Sequence, residues 1–255
     1  MKRKEIKVKN IVIGRDMIYM AGPCSIESQD HIISTGKKVK EMGANVLRGG
    51  AFKPRTSPDS FQGLGEEALV YLAEAGRLLD MPTISEIVDP RDVDLFKDID
   101  ILQVGARNMQ NFALLKELGK LNKPILLKRG MGATLDELLA ASDYIRAGGN
   151  DQVILCERGI RTFESSTRYT LDIAAVAVLK RKTDMPIIID PSHAAGRRDY
   201  IEDLALAAVA AGADGLIIEV HPQPEEALSD QDQQILPRDL GPIIEKAEKI
   251  RKIVG

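Results

Sequence analysis

The chain has 255 residues, of which 44% are hydrophobic and 29% charged, and its formal net charge is −3. That length suits one (β/α)8 unit of about 250 residues, and the slightly acidic balance lacks the basic excess of a nucleic-acid binder. No apolar stretch approaches the roughly 18 residues of a membrane span, and the basic start Met1-Lys2-Arg3-Lys4 has no signal-peptide core behind it. Two cysteines, Cys24 and Cys156, cannot form a disulfide framework, so a cytoplasmic protein with no membrane or nucleic-acid partner is expected.

Residues 1–16, with Ile6, Val8, Val12 and Ile13 around Lys9-Asn10, read as a short hairpin capping one end of a barrel. From residue 17 to 255, apolar runs alternate with segments of helical period, the pattern of parallel βαβ units. Eight of the runs lead into a residue that can do chemistry. Ile18-Tyr19-Met20 precedes Cys24, Asn45-Val46-Leu47 precedes Arg48, Thr83-Ile84-Ser85 precedes Glu86, and Ile101-Leu102-Gln103-Val104 precedes Arg107. Ile125-Leu126-Leu127 leads to Lys128, Val153-Ile154-Leu155 to Arg158, Ile187-Ile188-Ile189 to Asp190 and His193, and Leu216-Ile217-Ile218 to Glu219. Continuous branched runs suit strands covered on both faces, and eight polar ends on one side favour a (β/α)8 TIM barrel over an open doubly wound sheet.

Local signals agree. Thr134-Leu135-Asp136-Glu137 is a capping box, with Leu135, Leu138, Leu139, Ser142 and Ile145 on one helical face. Asp89-Pro90 places a capping side chain before a first-turn proline, residues 199–211 and 243–254 are amphipathic, and Gly43, Gly148-Gly149 and Gly212 fall where helices stop. The two longest connections, residues 49–64 and 221–238, are polar βα loops of the kind that carry function.

The first of these loops holds Arg48, Lys53 and Arg55 with Thr56, Ser57 and two glycines, which suits an anion. Arg107, Lys128 and Arg158 converge on the same rim, and six cations there imply a substrate set with several negative charges, such as two phosphates. Cys24, His193, Glu219 and Asp230 form a second constellation, because the first and eighth strands of a barrel are neighbours. Their mixed softness fits Mn, Fe, Co or Zn better than Mg or Ca. Each also has a plain structural reading, and Lys128 at a strand end could instead form a Schiff base as in class I aldolases, although the neighbouring guanidiniums suit phosphate or carboxylate binding better. Cys156 is expected to pack in a strand, His31 to lie on a helix surface, and His221 to support Glu219 from two residues away.

Five stretches together resemble 3-deoxy-D-arabino-heptulosonate 7-phosphate (DAHP) synthases of the short type I beta branch. They are Ala21-Gly22-Pro23-Cys24-Ser25-Ile26-Glu27-Ser28, Gly49-Gly50-Ala51-Phe52-Lys53-Pro54-Arg55-Thr56-Ser57, Gly105-Ala106-Arg107-Asn108-Met109, Asp190-Pro191-Ser192-His193 and Glu219-Val220-His221-Pro222. The octulosonate phosphate synthases share the Gly-Pro-Cys start but have an Asn-Arg-Ser type sequence at Pro54-Arg55-Thr56.

The resemblance implies a barrel that condenses phosphoenolpyruvate with erythrose 4-phosphate, releasing phosphate, on the way to chorismate and the aromatic amino acids. It implies a divalent metal, manganese first, held by Cys24, His193, Glu219 and Asp230, and no organic cofactor. It places Arg107, beside Ala106, and Arg158 on the phosphate of phosphoenolpyruvate, with Arg48, Lys53 and Lys128 around its carboxylate. Arg55 and Thr56 would bind the sugar phosphate, Glu86 and Asp190 would support the site, and Lys53 would act as a proton donor. A homotetramer or dimer is expected. After Asp230 the family commonly has glycine where this chain has Gln231-Asp232-Gln233-Gln234, which leaves Asp232 as a competitor for the fourth ligand. With neither a ferredoxin-like module nor a chorismate mutase helix in the sequence, insensitivity to phenylalanine, tyrosine and tryptophan is expected. A non-catalytic phosphosugar-binding barrel is the alternative from another class.

Overall fold

Alternation of apolar and polar residues on either side of a two-residue turn is enough to make the first element. In the computed structural model, which describes residues 2–53 and 61–254, β1 (Ile6–Val8) pairs antiparallel with β2 (Ile11–Ile13), and Lys9 at φ 47° starts the turn. Ile6, Val8, Ile11 and Ile13 are buried, so Ile11 rather than Val12 supplies the fourth apolar contact. The four pack on Ile18, Met20, Val46, Ile84, Ile101, Leu126, Ile154, Ile188 and Ile217, the side chains that fill the barrel interior.

The barrel strands are β3 (Ile18–Gly22), β4 (Val46–Arg48), β5 (Thr83–Ile87), β6 (Ile101–Val104), β7 (Ile125–Lys128), β8 (Val153–Glu157), β9 (Ile187–Ile189) and β10 (Gly215–Glu219). All neighbours are parallel, and the ring closes where β10 pairs with β3 from Gly215↔Ile18 to Glu219↔Gly22. That closure brings Glu219 beside the chain leading to Cys24, although the two are far apart in sequence. Alternate strand residues, including Leu47, Leu102, Leu127, Leu155 and Ile189, face outward into a second apolar layer under the helices. A fully buried side chain of this kind contributes about 1.5–3 kcal/mol, most of it offset by chain entropy.

The helices are α1 (Gln29–Glu41), α2 (Glu66–Leu78), α3 (Phe112–Leu118), α4 (Leu135–Ala147), α5 (Ile173–Lys182), α6 (Pro191–Ala195), α7 (Ile201–Ala210) and α8 (Pro237–Val254). The Thr134/Glu137 capping box forms as the sequence suggests. The alternation of strand and α-helix lapses once. Between β5 and β6 the chain runs through a 3-10 segment, Pro90–Phe96, capped by Asp89. Only 13 residues separate these strands, which leaves room for little more than Phe96 and Ile99 to cover them. The last helix starts at Pro237, six residues before the amphipathic stretch predicted from Ile243, because Pro237 suits a first helical turn.

Candidate active site

The polar strand ends meet at the C-terminal mouth of the barrel. Cys24, just past β3, is wholly buried, and its Sγ–H donates to Asp230 Oδ2 at 3.0 Å while Lys53 Nζ donates to Sγ at 2.9 Å. Gly50 makes this approach possible, since a Cβ there would sit 2.4 Å from the Cys24 carbonyl oxygen. From the end of β10, Glu219 Oε1 accepts from Arg48 Nη1 at 2.7 Å and lies 3.6 Å from His193 Nε2. Donor atoms of Cys24, Glu219 and Asp230 all lie within 4.8 Å of one another. His193, held by the short helix α6 after β9, therefore borders this group through Glu219. A thiol, an imidazole and two carboxylates meeting in a buried pocket fit a divalent transition ion. Asp232 is exposed on the following turn and stands outside the group.

Electrostatics sorts the four. Burial, reinforced by Glu219 and Asp230 against Lys53 and Arg48, pushes the Cys24 thiol up to about 12. Burial opposes ionisation of Glu219 too, but His193, Arg48 and Lys53 outweigh it and hold this carboxyl below its ordinary range. Asp230 is also lowered, burial and Glu219 being overcome by Lys53 and the Cys24 hydrogen bond. Burial depresses His193 more than its acidic neighbours raise it, which favours the neutral imidazole a metal needs. The Lys53 ammonium is favoured, the neighbouring Cys24 and Glu219 exceeding the cost of its burial.

On the other side of the mouth Lys128 Nζ donates to Asp190 Oδ2 at 2.5 Å, with both side chains buried. Asp190 also caps α6 by accepting from the His193 backbone N–H at 2.9 Å, and its Oδ2 lies 2.8 Å from His193 Nδ1. Burial works against the Asp190 carboxylate, but His193 and Lys128 hold it well below the usual range. Arg158 is 6% exposed, its guanidinium lies 4.3 Å from the Tyr169 ring centroid, and among the described residues its Nη1 has no hydrogen-bond partner. A buried guanidinium with an unmet donor can receive an anion. Arg107 is exposed on a 3-10 turn and, with Ala106, lines a cavity of about 300 Å³ that Gly130 and Glu137 also border. Glu86 accepts from Gln103 Nε2 at 2.7 Å. Arg55 and Thr56 lie outside the described residues.

Two expectations need correction. His31 is not a surface residue of α1: its ring stands 4.6 Å from that of His221, and among the described residues its two buried nitrogens have no hydrogen-bond partner. Burial, then His221, pulls it down to about 4. His221 does not support Glu219, because the chain beyond β10 turns towards α1 and sets His221 Nε2 3.5 Å from Glu27 Oε1. Glu27, His31 and His221 offer donor atoms within 4.8 Å of one another. However, His221 Nδ1 accepts the Gln223 backbone N–H at 3.0 Å and is not free to ligate, and among the described residues Nε2 makes no hydrogen bond. Cys156, in β8, is buried and its thiol is raised mainly by burial, as a packing residue's would be.

Sequence reasoning gave no role to three groups that frame the site. Gln233 and Gln234 are buried beside Cys24 and Glu219, Arg168 Nη1 reaches Gln233 Oε1 at 2.8 Å, and Arg129 pairs with Glu157 and Asp172, each at 2.8 Å. Neutral amides leave no pattern in a sequence. For Arg129, adjacency to Lys128 at a strand end was the available signal, since side chains alternate and one of the two must face outward.

A family model described as the DAHP synthetase I family matches residues 3–254. The chain is 48% identical over 237 residues to a phospho-2-dehydro-3-deoxyheptonate aldolase of Thermotoga maritima, covering 92% of this chain and 70% of the relative. A 2-dehydro-3-deoxyphosphooctonate aldolase of Desulfotalea psychrophila is 31% identical over 260 residues, with 94% and 92% covered. The crystal structure of the Thermotoga maritima phospho-2-dehydro-3-deoxyheptonate aldolase (DAHP synthase) superposes with a TM-score of 0.95 at 46% identity, covering 99% of this chain and 74% of that one. A truncated form of the synthase from the same organism gives 0.92 at 42% identity, covering 99% and 93%. The barrel, its mouth and these matches agree, and the chain belongs to the DAHP synthetase I family.

Proposed function

We propose that the residues gathered at the barrel mouth carry out the reaction of this family, the condensation of phosphoenolpyruvate, erythrose 4-phosphate and water to DAHP and phosphate. The observation that supports this assignment most is the meeting of Cys24, Glu219 and Asp230 donors within 4.8 Å, across a single mouth from the buried, unmet guanidinium of Arg158. Cys24, His193, Glu219 and Asp230 would hold the divalent ion, with manganese proposed ahead of iron, cobalt or zinc. When bound, such an ion supplies Lewis-acid polarisation of the aldehyde.

The protein's own groups do the rest. Arg158 and Arg107, with the backbone around Ala106, take the phosphate of phosphoenolpyruvate. Arg48, Lys53 and Lys128 surround its carboxylate, so two anions are held together despite their repulsion. Arg55 and Thr56 are assigned to the sugar phosphate. A bond forms between C3 of phosphoenolpyruvate and the aldehyde carbon, and the aldehyde oxygen takes a proton from Lys53, whose ammonium form the site favours. Water adds at C2, the C2–O bond to phosphate breaks, and C2 becomes the ketone. Glu86 and Asp190 are assigned as supporting groups that orient that water, and its proton leaves with the phosphate. No organic cofactor enters, and a cytoplasmic homotetramer or dimer without nucleic-acid or membrane partners is the proposed setting.

Phosphate release from phosphoenolpyruvate, compared with erythrose 4-phosphate and arabinose 5-phosphate as acceptors, tests the assignment. Release with the four-carbon sugar supports it. Release with arabinose 5-phosphate alone would move the chain to the reaction of its octulosonate relatives.

A further inference from the structure

Gln233 and Gln234, in the loop that follows β10, are only 2% and 1% exposed. The Gln233 amide donates from Nε2 to Glu219 Oε2 at 2.6 Å and accepts at Oε1 from Arg168 Nη1 at 2.8 Å. Arg168 Nη1 is also 3.4 Å from Asp230 Oδ1. The Gln234 amide accepts the Cys24 backbone N–H at 2.9 Å and donates to the Ser229 carbonyl at 2.8 Å. Beneath it, the Ser229 and Ser25 hydroxyls are 2.6 Å apart. Neither amide can flip, because a carboxylate and a carbonyl only accept while a guanidinium and a backbone N–H only donate.

The backbone explains why adjacent residues serve opposite sides. At Gln234 the chain is extended, with φ −88° and ψ 130°, so consecutive side chains diverge, one to the end of β10 and the other to the chain after β3. Ile235 N donates to the Glu219 carbonyl and His221 N to that of Ile235, each at 3.0 Å, which clamps the segment along β10.

We propose that Gln233 and Gln234 are positioning residues of the metal centre, Gln233 restricting Glu219 to ligation through Oε1 and Gln234 fixing the backbone from which the Cys24 thiol projects. The proposal rests on the assignment of Cys24, His193, Glu219 and Asp230 as the ligands. Gln233 engages Oε2, while Oε1, which accepts from Arg48 Nη1 at 2.7 Å, is the oxygen that faces His193 at 3.6 Å. Neutral amides do this without adding charge to a set that already contains two carboxylates and a thiol.

The test is Mn²⁺ binding to the chelator-treated full chain, read from the electron paramagnetic resonance signal of the free ion. Gln233→Met and Gln234→Met keep side-chain length while deleting both hydrogen bonds. Each is expected to weaken Mn²⁺ binding by about 10–100-fold. The variants leave buried donors and acceptors unmatched, so the metal-free protein should melt somewhat lower, while its binding of phosphoenolpyruvate should stay near wild type, a split that a merely structural role would not give. Should one variant fail to fold, the other carries the same test from the opposite ligand. Cys24→Ala separates the levels of argument. If Cys24→Ala abolishes tight Mn²⁺ binding and both glutamine variants retain wild-type affinity, the positioning proposal is overturned and the ligand assignment stands. If Cys24→Ala binds Mn²⁺ as tightly as wild type, both fall.

Discussion

Metal binding at this mouth should release one proton, and the structure says from where. Among the four proposed ligands, Glu219 and Asp230 are held below the ordinary carboxylate range and His193 below its ordinary value, so all three are deprotonated at neutral pH. Only the Cys24 thiol, pushed up to about 12, still carries its proton. A thiol must ionise to ligate, so each ion bound displaces one proton to solvent. The apparent association constant should then rise about tenfold per pH unit between about pH 7 and 9, or about 1.4 kcal/mol per unit. Mn²⁺ titrations by calorimetry in two buffers of different protonation enthalpy, repeated across that range, give both the proton count and the slope. For Cys24→Ser the slope should vanish, because a serine hydroxyl has no comparable tendency to ionise. A pH-independent constant in the wild type, with no proton released, would refute the reasoning.

Arg129→Met leaves Glu157, 1% exposed, without its guanidinium, and should cost about 3–5 kcal/mol in urea unfolding at neutral pH; a loss under about 1 kcal/mol would show the pair to be dispensable. Thr134→Ala removes the hydroxyl arm of an exposed capping box, leaving the backbone N–H of residue 134 on Glu137, and should cost about 1 kcal/mol, measured the same way, with activity unchanged. Gly105→Ala would bring a Cβ 2.1 Å from Glu86 Oε1, so the flexible carboxylate should swing off Gln103 with little loss of thermal stability. Activity should fall with it, and wild-type kcat/KM in that variant would remove Glu86 from the mechanism.

The barrel could be read from the chain because its information is local. Runs such as Ile187-Ile188-Ile189 need cover on both faces, and each ends in a polar residue on the same side. The capping box at Thr134 and the hairpin around Lys9-Asn10 are equally short-range. The convergence of Cys24 with Glu219 was legible only through topology, as first and eighth strands must be neighbours in a closed ring. What escaped depends on contacts without periodicity. His31 and His221 meet across most of the chain's length, and the i, i+2 rule that linked His221 to Glu219 fails once the segment leaves the sheet. Gln233 and Gln234 matter through the lone pairs and protons they present, which composition does not reveal.

The most direct test of the central claim is product formation by chelator-treated protein supplied with phosphoenolpyruvate and erythrose 4-phosphate, before and after Mn²⁺ is returned. The account predicts no turnover before, then DAHP and inorganic phosphate appearing in equal amounts afterwards, with the Cys24→Ala variant inactive under both conditions. Full turnover in the metal-free wild type, or a Cys24→Ala variant restored by Mn²⁺, would contradict it.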